Sequence, residues 1–281
     1  MDGRIPARTS RLIGAILAAI FALAVTAGAA GAASEVIYNN LPSPTPGNVV
    51  SEAFEATQTA QFGGAVEFTG TNRKGGMLSI GMSSWACQKG SWTGTPECVT
   101  EPGAKFEWPI TVSVNEEGPL GEVGALVTTV TKTEKLPYRP SENRFKCLNA
   151  KNEPTGAYLF KGVCYHGKYF KISVPMGKIH WPSKAIISVS YNTSDYGAVP
   201  QRPQACNSES GGCFYDSLNV GLTEPPEAPT AGSDPQPNDV YQNTLYAPNY
   251  CDKGAGGTGT FRLDAGCWEG YQPMFEVKAT P

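Results

Sequence analysis

The chain has 281 residues and a formal charge of −3, and only 17% of its residues are charged, against about 25% in an average soluble domain. Glycine (32) and proline (23) are too frequent for a helical bundle, and they lack the period of collagen. The acidic balance leaves no basic face of the kind that nucleic acid needs, so nucleic acid is not an expected partner.

Residues 1–33 read as a secretory signal peptide. Arg4, Arg8 and Arg11 form a basic start, and residues 12–25 are an unbroken apolar run of 14. The small residues at 27–33 allow cleavage after Ala32 or Ala33. Spanning a bilayer takes about 20 apolar residues, so the run is a leader and not an anchor. The expected product is secreted and extracellular, with one domain over residues 34–281 and no membrane span once the leader is removed. Losing the leader's three arginines and one aspartate brings the formal charge to −5.

Period-two alternation dominates the mature chain. Weak strands are expected at 36–39 and 65–69. Stronger ones follow at Leu78, Ile80 and Met82, and at Phe106, Trp108, Ile110, Val112 and Val114. A weak strand at 126–131 precedes Phe170, Ile172, Val174 and Met176, then Ile187, Val189 and Tyr191. Leu218, Val220 and Leu222, and last Phe275, Val277 and Ala279, repeat the pattern. One apolar and one Ser/Thr-rich face is the mark of half-buried antiparallel strands. Pro109 and Pro175 mark edge positions or bulges, because proline cannot donate to a ladder. Residues 49–61 are the only helical contender, weakened by their Thr and Gln content. Some eight to ten strands predict an all-β fold, an antiparallel two-sheet β-sandwich that is jelly-roll-like, with long disulfide-stapled loops. Two irregular stretches stand out, 135–169 and 223–272. The second is expected to be a long C-terminal loop that returns a last strand at 274–279.

Eight cysteines in an exported chain argue for disulfides. Pairing of nearest neighbours gives Cys87–Cys98, Cys147–Cys164, Cys206–Cys213 and Cys251–Cys267. This is one of 105 connectivities. No Cys-x-x-Cys pair or zinc spacing competes with that reading.

Several segments form a set: Ile37-Tyr38-Asn39-Asn40-Leu41-Pro42-Ser43-Pro44 with Pro46-Gly47-Asn48, Phe54-Glu55-Ala56-Thr57 with Phe62-Gly63, and Met82-Ser83-Ser84-Trp85-Ala86-Cys87. Tyr191-Asn192-Thr193-Ser194, the run from Gly212-Cys213-Phe214 to Asn219-Val220, and Gly259-Thr260-Phe261-Arg262 belong with them. Together they resemble a family of exported bacterial β-sandwich proteins of uncharacterised function. The resemblance implies a β-sandwich and export. It implies no activity, cofactor or catalytic residue.

Chemistry-bearing groups are sparse. Gly254-Ala255-Gly256-Gly257-Thr258-Gly259 fits G-x-G-x-x-G in letters, but it lies between cysteines with no helical pattern after it, so a loop is expected. His166 and His180 are the only histidines, too few for a three-His zinc site, and both read as loop histidines. Glu67, Glu107 and Glu276 lie on expected strands as solvated acids, without the clustering of a glycosidase pair. Asp216 is the candidate ligand for a structural calcium, with Asn219 or a distant loop oxygen, against a local capping role. Asp252 and Asp264 flank the glycine run in the same way. No other cofactor is expected.

Aromatic residues are the surplus. Trp92, Tyr196, Tyr215, Tyr246, Tyr250 and Trp268 lie in expected loops among amides and carboxylates, a combination that suits a sugar or a protein surface. The competing reading is that long loops need small aromatic cores of their own. The expected function is therefore a non-catalytic glycan- or surface-binding module with a glycan or cell-surface protein as partner. A secreted carbohydrate-active hydrolase is the first alternative, and a structural component of the cell envelope or extracellular matrix the second.

Overall fold

Strands with alternate apolar side chains must bury one face, and two sheets can do so against each other. In the computed structural model, which describes Met1 and residues 33–202 and 213–281, this is the outcome. The expected leader lies outside the described residues, apart from Met1 and Ala33. The first sheet runs β1 (Glu35–Asn39), β14 (Phe275–Thr280), β4 (Lys74–Ser84), β11 (Leu218–Gly221) and β2 (Ser51–Ala53), and β9 (Lys168–Pro175) also pairs with β4. The second runs β13 (Arg262–Asp264), β12 (Val240–Thr244), β3 (Thr59–Glu67), β10 (Lys184–Ser190), β5 (Lys105–Glu117) and β6 (Val123–Pro137). Every pairing in both sheets is antiparallel. From β3 onward the chain changes sheet at most connections, as a jelly roll does.

One core lies between the sheets. Leu78, Ile80, Val174 and Val277 from the first meet Phe62, Ile110, Val112, Ile187 and Val189 from the second, all with no exposed surface. A smaller cluster of Ala65, Ile186 and Tyr241 sits on the outer face of the second sheet, covered by Val123, Phe261 and Leu263.

Several expectations change. Residues 49–61 hold no helix. They form β2, a turn in which the Thr57 amide donates to the Ala53 carbonyl (2.9 Å), and the start of β3. β3 begins at Thr59 and not near Ala65, because Gly63 lets β10 approach closely. A Cβ there would lie 2.5 Å from the Ile187 carbonyl. The 223–272 stretch is not one long loop: it contains β12, which pairs with β3, and β13, which pairs with β12. The 135–169 stretch holds the end of β6 and a hairpin of β7 (Tyr158–Phe160) and β8 (Val163–Tyr165). In all, fourteen strands are described, mostly short. Pro175 ends β9, whose described pairing is with β4 alone. Pro109 lies in the part of β5 that extends past its pairing with β10, so both prolines stand where no ladder donor is required.

Three of the expected disulfides are described: Cys87–Cys98, Cys147–Cys164 and Cys251–Cys267, with Cα separations of 5.5, 5.6 and 5.6 Å. Cys213 is disulfide-bonded, and Cys206 lies outside the described residues. Arg139 ties the first two staples together. Fully buried, it donates from Nη2 to the Gly156 carbonyl (2.6 Å), from Nε to the Pro140 carbonyl (3.1 Å) and from Nη1 to the Trp92 carbonyl (3.4 Å). Burial lowers its pKa to about 10.

Candidate functional site

The Cys87–Cys98 staple closes a short loop at the end of β4, and that loop presents Trp92. Its indole stands edge-on to Trp85, with ring centroids 5.1 Å apart and an interplanar angle of 88°. His166 stacks on the other ring of this group, 6.1 Å from Trp85 at 9°, and its Nδ1 lies 3.1 Å from the Trp92 carbonyl oxygen. Trp92 remains 39% exposed. With Trp85, Ala53, Ala56, Asp216, Ser217 and Asn219 it lines a depression of about 270 Å³. One wall is thus aromatic, and the facing groups are a carboxylate, a hydroxyl and an amide.

The polar side of the depression is held by local turns. Asp216 accepts from the Ser194 amide (2.7 Å) and from the Ser194 hydroxyl (2.6 Å), one bond to each carboxylate oxygen. That is the local hydrogen-bonding role weighed against calcium. Glu55, in the turn after β2, accepts from the Asp195 amide (3.4 Å). Burial raises the pKa of both carboxyls. Their negative neighbours, Asp195 for Asp216 and Asp216 with Asp195 for Glu55, push in the same direction, against hydrogen bonds that pull down. Tyr196, in the same turn as Ser194, is half-buried, and its phenol is likewise raised by desolvation and by Glu55 and Asp195.

On the other side of this turn lies a groove of about 330 Å³ across the outer face of the second sheet. Strand register sets Thr131 opposite Thr111, Thr111 opposite Ser190, and Gln61 opposite Asn243, so that five strands each contribute one neutral polar side chain. Asn192, Gly197 and Ala198 form its rim.

The expected aromatic face divides. Trp92 and Tyr246 are exposed, at 39% and 43%. Tyr215 and Tyr250 are buried, and Trp268 is half-buried against the core. Tyr215 is buried (4% exposed) and stacked on Trp108. Tyr250 is also buried, with the Arg262 guanidinium 3.9 Å from its ring centre and its hydroxyl accepting from the Thr244 amide (3.2 Å). Trp268 packs on Phe62 and donates from Nε1 to Asp264 (2.9 Å). These three rings are therefore engaged in packing within the protein.

The remaining candidates resolve simply. The glycine run is a set of turns around Asp252, which accepts from the Gly254 and Gly256 amides and pairs with Arg262, and a strand follows it. Among the described residues, the one group of His, Cys, Asp and Glu close enough to share an ion is Cys251, Asp264 and Cys267, whose sulfurs are joined to each other. Trp85 was the residue that sequence reasoning missed. It stands two positions before Cys87, so the staple that presents Trp92 also fixes it. His166, read from the sequence as a loop histidine, packs against both indoles. No family model, curated protein or solved structure matches the chain.

Proposed function

We propose that the chain is an exported, non-catalytic binding module whose ligand is a glycan, seated with one sugar ring against Trp92. The observation that carries this reading is the rigid pair of indoles. A disulfide-held, part-exposed Trp92 braced by Trp85 offers apolar stacking area with little ordering cost, beside hydrogen-bonding groups on Asp216, Ser217 and Asn219. The hydroxyl and amide row on the second sheet, free of charged side chains, offers neutral donors and acceptors for further sugar units. A glycan array with the Ser34–Pro281 chain is the test. Trp92→Ala should keep the fold and weaken the recognised glycan by about 1–3 kcal/mol, with base–aromatic stacking as the guide. Unchanged affinity in Trp92→Ala would remove the proposal.

A hydrolase is the second reading, favoured by two carboxylates held on one turn: Glu55, the neighbour of the lining residue Ala56, accepts from the Asp195 amide, and Asp216 accepts from Ser194. It predicts that reducing sugar is released from the recognised glycan and that Glu55→Gln abolishes the release while binding persists.

A further inference from the structure

Residues 143–165 form a lobe whose surface differs from the rest of the molecule. In a chain of formal charge −3, this stretch carries four cations, Arg144, Lys146, Lys151 and Lys161, against one acid, Glu153. Arg144 is spent on ion pairs with Glu97 (2.9 Å) and Glu142 (3.5 Å). The three lysines have no ion pair among the described residues and are exposed, and the Glu153 carboxylate accepts from Asn149 (2.9 Å).

Among these cations stands Phe145, 91% exposed. It is not a loose side chain on a loose loop. The Asn143 side chain accepts from the Phe145 amide (3.2 Å) and the Lys146 amide (3.0 Å), and the Cys147–Cys164 bond pins the turn two residues on. Across that bond Val163 is 51% exposed, and Leu148 adds more apolar surface. Lys161 occupies the tip of the β7–β8 hairpin with φ +48°, a conformation in which asparagine or glycine is favoured. Its ammonium lies 5.1 Å from the centre of the Phe160 ring. None of the residues lining the Trp92 depression belongs to this lobe.

We propose that the lobe docks on the surface of an anionic lipid bilayer, Phe145 entering the headgroup boundary while Lys146, Lys151 and Lys161 meet lipid phosphates. Charge selects a negative surface, and the pinned, exposed ring selects one with an apolar layer beneath it over a dissolved polyanion. A lysine near such a surface raises partitioning roughly five-fold, and a ring that enters it adds about ten-fold or more.

Flotation of the Ser34–Pro281 chain with vesicles tests this; the 12–25 run is omitted because it would bind lipid by itself. The chain should float with phosphatidylcholine vesicles that contain phosphatidylglycerol and not with phosphatidylcholine alone. Phe145→Ser should lower partitioning about ten-fold. The pair Lys146→Glu and Lys161→Glu should abolish it, and raised salt should weaken the parent. These side chains are exposed, so near-UV circular dichroism of the variants should match the parent. Absence of flotation, equal flotation with neutral vesicles, or variants that float like the parent would overturn the proposal. So would retention on dextran sulfate that Phe145→Ser leaves undiminished, which would make the lobe a reader of soluble polyanions. Glycan-array results bear on Trp92 alone and leave this outcome independent.

Discussion

Tyr215 lies flat against Trp108, with ring centroids 4.2 Å apart and planes 12° from parallel. Phe214 meets both rings edge-on, at 5.1 Å from Tyr215 and 5.7 Å from Trp108. Trp108 also donates from Nε1 to the Asn192 carbonyl (2.9 Å), which fixes the start of the turn that carries Ser194 and Tyr196. The residues just before β11 are therefore bonded by aromatic packing to the far sheet. Their tightness is what sets Asp216 in place below Trp92.

It follows that Tyr215 is a stability residue. Tyr215→Ala removes a buried ring and should cost about 3–5 kcal/mol, read as a lower denaturant midpoint. Tyr196→Ala, at the surface of the same turn, should stay within about 0.5 kcal/mol of the parent. If Tyr215→Ala kept the parental midpoint and lost only ligand, the assignment would be reversed.

Arg139 should be more sensitive than any surface cation. Arg139→Ala strips donors from the carbonyls of Gly156, Pro140 and Trp92 and leaves a cavity, at a cost of about 3–5 kcal/mol. Arg139→Lys should recover little of this, because an ammonium cannot reproduce the planar fork that meets three carbonyls at once. Denaturant unfolding measures both. Near-UV circular dichroism of Arg139→Lys should change as well, since the Trp92 loop loses one of its anchors.

Much of the fold was readable where apolar side chains alternate along a strand, and in β5 and β9 the burial alternates too. Ile110, Val112 and Val114 alternate with Thr111 and Ser113, and the burial alternates with them. β12 was not readable, because two of its four buried positions, Gln242 and Thr244, are polar and break the alternation. Gln242 has no exposed surface and is satisfied by donating to Asp264 (2.6 Å) and to the Asn249 carbonyl (3.0 Å), partners that sequence proximity does not reveal. The same holds for the site. Trp92 could be picked out as a tryptophan in a stapled loop, but its bracing by Trp85 and His166 depends on a contact between residues 74 apart in the chain. Tyr250 and Trp268 sit in loops as Tyr246 does, and nothing in their neighbours' letters says that two of the three rings turn inward.

Asp234 predicts a pH dependence. Burial, with Asp239 and Glu117 nearby, pushes its carboxyl up to about 6 from 3.8. Between these two values the folded chain keeps a proton that the unfolded chain has released, so stability falls as pH rises from about 4 to about 6. Below that window the group contributes nothing to the slope. Glu52, buried against Thr59 and Asn249, is raised as well and acts with the same sign. Asp234→Asn keeps an acceptor for the Gln236 amide (2.9 Å) and should flatten the fall in thermal midpoint across this range. An Asp234→Asn curve parallel to the parent's would show that the slope arises elsewhere.

Trp268 and Asp264 form the sharpest contrast with the exposed rings. Asp264 has no exposed surface and accepts three bonds, from the Cys251 amide (2.8 Å), Gln242 Nε2 (2.6 Å) and Trp268 Nε1 (2.9 Å). Trp268→Ala removes one donor and the ring against Phe62, and should cost about 3–5 kcal/mol. Trp268→Phe keeps most of the packing and loses only the N–H, leaving a carboxylate oxygen one donor short, so about 1–3 kcal/mol is expected. Tyr246→Ala, at a ring that is 43% exposed, should cost far less, about 0.5 kcal/mol. Because Trp268→Phe and Asp264→Ala break the same bond, their effects on the denaturant midpoint should sum to more than the double variant loses. Additive losses would mean that the indole stabilises the chain through Phe62 alone, and that the buried carboxylate is held without it.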